Sequence, residues 1–215
     1  MTAKRNVFIM GDSYSTYKGY IPDDYHFYYY DEKECQPIVR GVEKTWWNRL
    51  AKEADLNIVL NDSYSGTTVC NTVRDYLSVE TSFVSRIDRY IATNFFADHQ
   101  IDTMFIFGGT NDSCIDAPIG DLKYEDWTAD DLQCVLPAFC YLISRAKQVV
   151  VNIVVLINAD YIKAEITKGF STACEEYGVK YLQLKEIDKE NNHPTELGMM
   201  QIYEQIMSYF PKYTL

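Results

Sequence analysis

An apolar run that ends in a polar turn lies near the start of the chain: Val7-Phe8-Ile9-Met10-Gly11-Asp12-Ser13. Four consecutive apolar residues without alternation are typical of a strand that is buried on both faces, as in a parallel sheet covered by helices. The glycine, aspartate and serine that follow favour a turn. We therefore predict a buried parallel strand whose carboxyl end carries polar side chains.

The same pattern returns along the chain. Further apolar runs predict strands at residues 58–60, 104–107, 149–157 and 179–184. Apolar residues at helical spacing predict helices over residues 43–55, 81–96, 131–147, 160–177 and 194–210. Strand–helix alternation of this kind predicts an α/β fold, a three-layer α/β/α, flavodoxin-like doubly wound sheet of about five parallel strands. The length of 215 residues favours a single domain over residues 1–215.

Composition excludes several classes of partner. Asp and Glu number 31 against 20 Lys and Arg, for a net charge of −11, and no basic cluster interrupts this balance, so nucleic acid is not an expected partner. No apolar run approaches the roughly 20 residues of a membrane span. The first residues lack the features of a signal peptide, so we expect no membrane partner and a cytoplasmic location. The six cysteines form neither a CxxC pair nor a group with histidine, which argues against a zinc site or a disulfide framework.

Residues 14–40 depart from the strand–helix pattern. They hold seven of the 18 tyrosines, together with Pro22 and Pro37, and show neither helical nor strand periodicity. We predict a tyrosine-rich insertion at about residues 14–40, a long ordered loop between the first strand and the first helix.

Polar side chains collect at the predicted strand ends. Asp-Ser pairs follow three strands: Asp12-Ser13, Asp62-Ser63 and Asp112-Ser113. In open parallel sheets, ligands lie beyond the carboxyl ends of the strands. Aspartate and serine also cap helices and form turns, so one such pair is weak support for a site.

A histidine near the end of the chain strengthens the case for a site at the strand ends. His193 lies in a loop before the last predicted helix, with Asp188 and Glu190 upstream. Topology brings this loop to the same edge of the sheet as the Asp-Ser turns. A nucleophile, a base and an acid that orients the base are the groups that serine hydrolysis needs.

Four blocks of sequence together resemble the SGNH (GDSL-like) hydrolase superfamily, in the order that the family has them. The blocks are Gly11-Asp12-Ser13-Tyr14-Ser15, the glycine Gly66, Gly109-Thr110-Asn111-Asp112, and His193-Pro194. The resemblance covers nearly the whole chain and implies the SGNH hydrolase fold and an esterase or acylhydrolase activity, without a metal or another cofactor.

The resemblance also implies roles for particular residues. Ser13 is expected to attack the ester carbonyl, and His193 to take its proton and pass it to the leaving alcohol. The oxyanion hole would consist of the backbone N–H groups of Ser13 and Gly66 and the side-chain amide of Asn111. Glycine allows close backbone approach, and an asparagine amide offers a donor that the Asp112 carboxylate lacks.

The acid that orients His193 is left open by the sequence. The family usually has an aspartate three residues before the histidine, where this chain has Glu190. Asp188 lies five residues before it. We favour Asp188, delivered by a loop with two extra residues; Glu190 and a backbone carbonyl are the alternatives.

A second serine also competes for the role of nucleophile. Ser63 lies in a near-duplicate of the first block, but it precedes Gly66 where the family supplies only a hydrogen-bond donor, so Ser13 is preferred. The nucleophile elbow Gly-x-Ser-x-Gly is absent from the sequence, which argues against an α/β-hydrolase of the lipase type.

The tyrosine-rich insertion follows Ser13 directly and is expected to lie near the site. We predict substrate contacts from Tyr14, Tyr17 and Tyr28, with Asp12; packing over the edge of the sheet is the alternative. Tyrosines present an apolar face and a polar tip, which suit sugar rings. We expect a small-molecule or glycan ester as substrate, with a small acyl group, acetyl first, on a carbohydrate or another polar alcohol.

Two other functions compete with an esterase. One is a magnesium-dependent phosphohydrolase or phosphoacceptor domain that uses Asp12 with Asp62 and Asp112. It is disfavoured because no Asp-x-Asp follows the first strand and no P-loop occurs. The other is a non-catalytic aromatic module that binds glycan.

Overall fold

A computed structural model describes residues 4–31 and 38–210. Its main sheet is parallel, with strands β1 (Arg5–Gly11), β2 (Leu56–Ser63), β3 (Thr103–Phe107), β4 (Asn152–Ile157) and β5 (Lys180–Gln183) in the order β2-β1-β3-β4-β5. This is the strand order of the flavodoxin-like doubly wound fold, in which ligands bind at the β1/β3 switch point. The predicted fold class is confirmed.

Helices cover both faces of the sheet. They are α1 (Trp46–Glu53), α2 (Phe83–Ala92), α3 (Phe95–His99), α4 (Thr110–Cys114), α5 (Val135–Lys147), α6 (Ala164–Tyr177) and α7 (Glu196–Tyr209). Alternate residues of β1 point to opposite faces: Phe8 and Met10 pack with α2, α5 and α6, while Val7 and Ile9 pack with α1 and α7. The three layers follow from this alternation.

Several helices begin later than the periodicity predicts, because a polar side chain caps the first turn. Thr45, Ser82 and Thr195 each accept a hydrogen bond from a backbone N–H of α1, α2 and α7, respectively. The predicted helix over residues 81–96 is also divided in two, because Asn94 adopts a left-handed conformation with φ of 57° between α2 and α3. Asparagine tolerates that conformation better than most residues.

The described part of the tyrosine-rich insertion packs over the sheet rather than standing away from it. Tyr14, Tyr17 and Tyr29 are buried in the same core as Trp46 and Trp47 of α1. The insertion is described over residues 14–31 and 38–40; Cys35 and Pro37 lie outside the described residues.

A hairpin with no counterpart among the predicted strands precedes α7. Strands β6 (Lys189–Glu190) and β7 (His193–Pro194) pair antiparallel across a two-residue turn. The turn residues Asn191 and Asn192 have φ of 49° and 64°. Positive φ at both central residues is the mark of a type I′ turn, for which asparagine is well suited.

Among the residues described, no helix combines the length and apolarity that a membrane crossing requires. The five cysteines in the described ranges are free thiols.

Candidate active site

Ser13 opens a 3₁₀ turn directly after β1. The turn, Ser13–Ser15, is capped by Asp12, whose Oδ1 accepts a hydrogen bond of 3.0 Å from the N–H of Tyr14. Gly11 lets β1 and the end of β2 approach closely, because a Cβ at this position would lie 2.5 Å from Oγ of Ser63. Ser13 thus lies at the switch point between β1 and β3.

The structure brings Ser13 and His193 into contact across the length of the chain. Nε2 of His193 lies 3.0 Å from Oγ of Ser13, and Nδ1 of the same ring lies 2.9 Å from the backbone carbonyl of Asn191. A carbonyl oxygen only accepts, so in the neutral ring Nδ1 carries the proton. Nε2 is then the unprotonated nitrogen that faces the Ser13 hydroxyl, which is the arrangement a general base needs.

Neither candidate carboxylate orients the ring. Asp188 instead accepts a hydrogen bond from the Thr195 hydroxyl, and Glu190, although it is the cross-strand partner of His193, makes no hydrogen bond to the imidazole. The tight hairpin turn aims the Asn191 carbonyl at Nδ1, so that nitrogen is already occupied. Of the three orienting groups considered from sequence, the backbone carbonyl is the one in contact.

Tyrosines of the insertion hold the hairpin that carries His193. The Tyr28 ring stacks on the imidazole, with centroids 3.4 Å apart and an angle of 7° between the planes. The Tyr14 hydroxyl donates to the carbonyl of Asn192 at 2.5 Å, and the Tyr29 hydroxyl to that of Pro194 at 2.8 Å. The insertion therefore supports the base.

The structure changes the roles expected for three of the predicted substrate contacts. Asp12, Tyr14 and Tyr17 are at most 3% exposed and have partners within the protein. The Tyr17 hydroxyl, for example, accepts a hydrogen bond from the N–H of Gly41. We therefore reassign these three side chains to support of the site, while the half-buried Tyr28 remains a candidate for substrate contact.

Burial also shifts the pKa values of His193 and Asp12. Desolvation lowers the pKa of His193; the hydrogen bond to Asn191 opposes this shift, and the charge of Lys189 adds to it. Burial raises the pKa of Asp12 from 3.8 to about 7, against the hydrogen bond from Tyr14, while Asp112 raises the pKa further. At neutral pH His193 is therefore the uncharged form that can accept a proton.

Asn111 lies at the end of β3, in the first turn of α4. Its Oδ1 accepts a hydrogen bond of 3.2 Å from Nη2 of Arg74. A guanidinium only donates, so the amide atom that faces Arg74 has to be the oxygen, and Nδ2 is turned the other way. Gly66, the other predicted donor, has φ of 87°, a conformation that favours glycine, and packs beside Arg74.

Asp112 fixes the segment that follows Gly66. Its two carboxylate oxygens accept hydrogen bonds of 2.9–3.1 Å from the backbone N–H groups of Val69 and Cys70. This contact ties the loop after β2 to the end of β3. The sequence gives no local signal for the contacts of Asp112 and Arg74, because each side chain meets a segment that is distant along the chain.

The second aspartate–serine turn is fully engaged inside the protein. Asp62 forms an ion pair of 2.8 Å with Arg86, and both side chains are completely buried. The Ser63 hydroxyl is also buried and donates to Oδ1 of Asn61 at 2.6 Å. Ser63 is thus placed as a structural residue and not as a nucleophile.

These contacts also bear on the alternative of a magnesium site. Asp62 and Asp112 are already held by Arg86 and by backbone N–H groups. Within residues 4–31 and 38–210, no cluster of three or more His, Cys, Asp or Glu side chains is placed to hold a metal ion.

A hydroxyl–imidazole pair at the switch point of a flavodoxin-like sheet is the kind of site that ester hydrolases have. The family model for GDSL-like lipases and acylhydrolases matches residues 5–210, so the chain belongs to this family and is a hydrolase that acts on esters.

Solved structures agree with this assignment. Proteins described as GDSL-like lipases from Bacteroides ovatus and Bacteroides uniformis are 36% and 35% identical to the chain, with TM-scores of 0.87 and 0.85. The matches cover 97% and 96% of this chain and 98% and 95% of the other. Est24, a carbohydrate acetylesterase from Sinorhizobium meliloti, shares the fold at 15% identity, with a TM-score of 0.61 over 96% of this chain and 98% of its own. No curated protein is significantly similar to the chain.

Proposed function

We propose that the protein is a serine esterase that removes a small acyl group, most simply acetyl, from a carbohydrate or another polar alcohol. The observation that carries the proposal is the 3.0 Å contact between Oγ of Ser13 and Nε2 of His193 at the switch point of the sheet. His193 is oriented by the Asn191 carbonyl, so Ser13 and His193 act as a dyad.

The reaction begins when Oγ of Ser13 attacks the ester carbonyl carbon and Nε2 of His193 takes the hydroxyl proton. The carbonyl oxygen becomes an oxyanion, for which the donors are the N–H groups of Ser13 and Gly66 and Nδ2 of Asn111. When the tetrahedral species collapses, the bond to the alkoxy oxygen breaks and the proton passes from His193 to the leaving alcohol. Water then attacks the acyl-enzyme by the same steps and releases the carboxylic acid.

The choice of a small acyl group draws on a protein of the same fold. Est24, with the same fold, is itself a carbohydrate acetylesterase. Tyr28 and His193 present ring faces and polar atoms beside Ser13, which suit a polar alcohol better than an aliphatic chain.

The test of the nucleophile is covalent labelling. A fluorophosphonate should modify Ser13, as located by peptide mass spectrometry, and labelling should disappear in Ser13→Ala and in His193→Ala. The matched control is Ser63→Ala, the buried serine of the second turn, which should still be labelled at Ser13. Labelling at Ser63, or none in the wild type, would contradict the proposal.

The acyl group is tested separately by comparing p-nitrophenyl acetate with p-nitrophenyl octanoate. We expect a higher kcat/KM for the acetate. A higher kcat/KM for the octanoate would exclude the small acyl group and leave the esterase mechanism intact.

A further inference from the structure

Aromatic side chains form a row beside Gly66, where the tyrosine-rich insertion meets the loop after β2. The rings follow one another as Tyr25, Tyr64, His26 and Tyr76, with successive centroids 4.7, 5.0 and 6.5 Å apart. The last two rings are within 22° of parallel. We call these four residues the aromatic row. Its outer end is open to solvent, because Tyr76 is 65% exposed and His26 is also exposed.

The inner end of the row is fixed to the protein. The Tyr25 hydroxyl is hydrogen-bonded to the guanidinium of Arg89, and the N–H of Tyr64 donates to the carbonyl of Gly11 at 3.1 Å. The N–H of Ser65 donates to the carbonyl of His26 at 2.8 Å, which joins the two loops. The exposed rings are therefore presented on a preorganised base, which reduces the ordering cost of binding.

The aromatic row adjoins two parts of the candidate site. Tyr28, which stacks on His193, is two residues from His26 along the same segment. At the other side, the Tyr76 hydroxyl lies 3.0 Å from the position that a Cβ on Gly66 would take. Because His193 has to deliver a proton to the leaving oxygen, the alcohol half of the ester has to lie beside His193, and Tyr28 connects that position along the chain to His26.

We propose that His26 and Tyr76 form a stacking subsite for the sugar ring of the alcohol that is released. This inference rests on the proposed function and adds the place where the alcohol binds. A sugar ring offers an apolar C–H face to an aromatic ring and hydroxyl groups at its rim. Asp24 and Asp75, which adjoin the row in sequence and are exposed, supply acceptors for such hydroxyls and disfavour a purely aliphatic group.

The test compares alcohols of different shape that carry the same acetyl group. The substrates are a per-acetylated methyl xyloside, which carries a sugar ring, and ethyl acetate, which carries none. For Tyr76→Ala and His26→Ala, the ratio of kcat/KM for the sugar ester to that for ethyl acetate should fall about three- to tenfold, mainly through KM, because a ring stack contributes a modest free energy. Tyr76→Phe keeps the ring and should retain the ratio.

The control is Tyr209→Ala, an equally exposed tyrosine at the far end of α7, which should leave the ratio unchanged. An unchanged ratio in both alanine variants, with wild-type circular dichroism and melting temperature, would overturn the subsite. A larger loss on p-nitrophenyl acetate than on the sugar ester would show that the rings bind aryl groups instead. If the wild type cleaves none of the three esters, the proposed function itself fails.

Discussion

The Tyr28 ring covers one face of the His193 imidazole, with centroids 3.4 Å apart and planes 7° apart. This contact withdraws the ring from water on that side while Nε2 still faces Ser13. The residue from the insertion that lies nearest the base is therefore also a residue that sets its environment, with consequences for the pH dependence of the reaction.

The first prediction concerns that pH dependence. Burial lowers the pKa of His193 below its usual 6.5, and only the neutral ring accepts the proton of Ser13. kcat/KM should thus be lost as pH falls through a midpoint below 6.5. Tyr28→Ala exposes the ring and should move the midpoint upward, whereas Tyr28→Phe should not. A pH–rate profile of each variant checks this. The same midpoint in Tyr28→Ala as in the wild type would contradict it.

The second prediction concerns the group that orients the base. Because Nδ1 of His193 bonds to the Asn191 carbonyl, Asp188→Asn and Glu190→Gln should each keep kcat within about tenfold of the wild type. Loss of the orienting aspartate in a Ser-His-Asp triad costs roughly 10⁴. Steady-state kinetics distinguishes the two cases, with His193→Ala as the inactive reference. A loss of about 10⁴ in either variant would show that the carboxylate removed orients His193.

The third prediction concerns the oxyanion hole. Asn111→Ala should lower kcat about 10²–10³-fold, as expected for loss of one donor. Arg74→Met should cause a smaller loss in kcat with little change in KM, because it frees the amide to rotate, and Arg74→Lys should recover part of it. In the Asn111→Ala background, Arg74→Met should add little. If the losses in kcat from Asn111→Ala and Arg74→Met add in the double variant, Arg74 does not act through Asn111.

The fourth prediction follows from Asp12. Its pKa is raised from 3.8 to about 7 in the folded protein, so folding favours the protonated form. The stability that protonated Asp12 contributes is fully present below about pH 3.8 and is lost as pH rises from there to about 7, above which the loss levels off. Urea titrations should show the free energy of unfolding of the wild type falling, relative to Asp12→Asn, as pH rises through that window. Asp121→Asn, which removes a carboxylate at an exposed position, is the matched control for the change of charge.

The fifth prediction concerns the buried ion pair beneath the site. Arg86→Met leaves the Asp62 carboxylate buried without its partner and should cost about 3–5 kcal/mol of unfolding free energy. The double variant Asp62→Leu with Arg86→Met removes both charges and should cost less than Arg86→Met alone. Chemical denaturation measures both; a double variant that is less stable than the single one would contradict the argument.

The sheet could be predicted from sequence because its cause is local. β1 to β4 each contain a continuous apolar run, and each predicted helix carries an apolar face at the right period, so the α/β order follows from short windows. Helix ends were less accurate, because caps such as Thr45 and Ser82 decide them. Strand ends then located Ser13 and Asn111, since parallel strands present their carboxyl ends at one edge.

Other features of the site depend on tertiary contacts that leave no local pattern. The type I′ turn at Asn191 and Asn192 turns a carbonyl toward His193, whereas the spacing of Asp188 and Glu190 directed attention to side chains. The burial of Tyr14 and Tyr17 depends on α1 and the hairpin packing against them. Arg74 meets Asn111 only because the loop after β2 folds back against the start of α4.

The hydrogen bond between Ser13 and His193 joins residues that are 180 positions apart. We expect a contact of such long range to close late in folding, because closing a long loop costs more conformational entropy than forming a local contact. Ester cleavage will therefore report on the last docking step, when the hairpin and α7 settle against the insertion, and not on formation of the sheet.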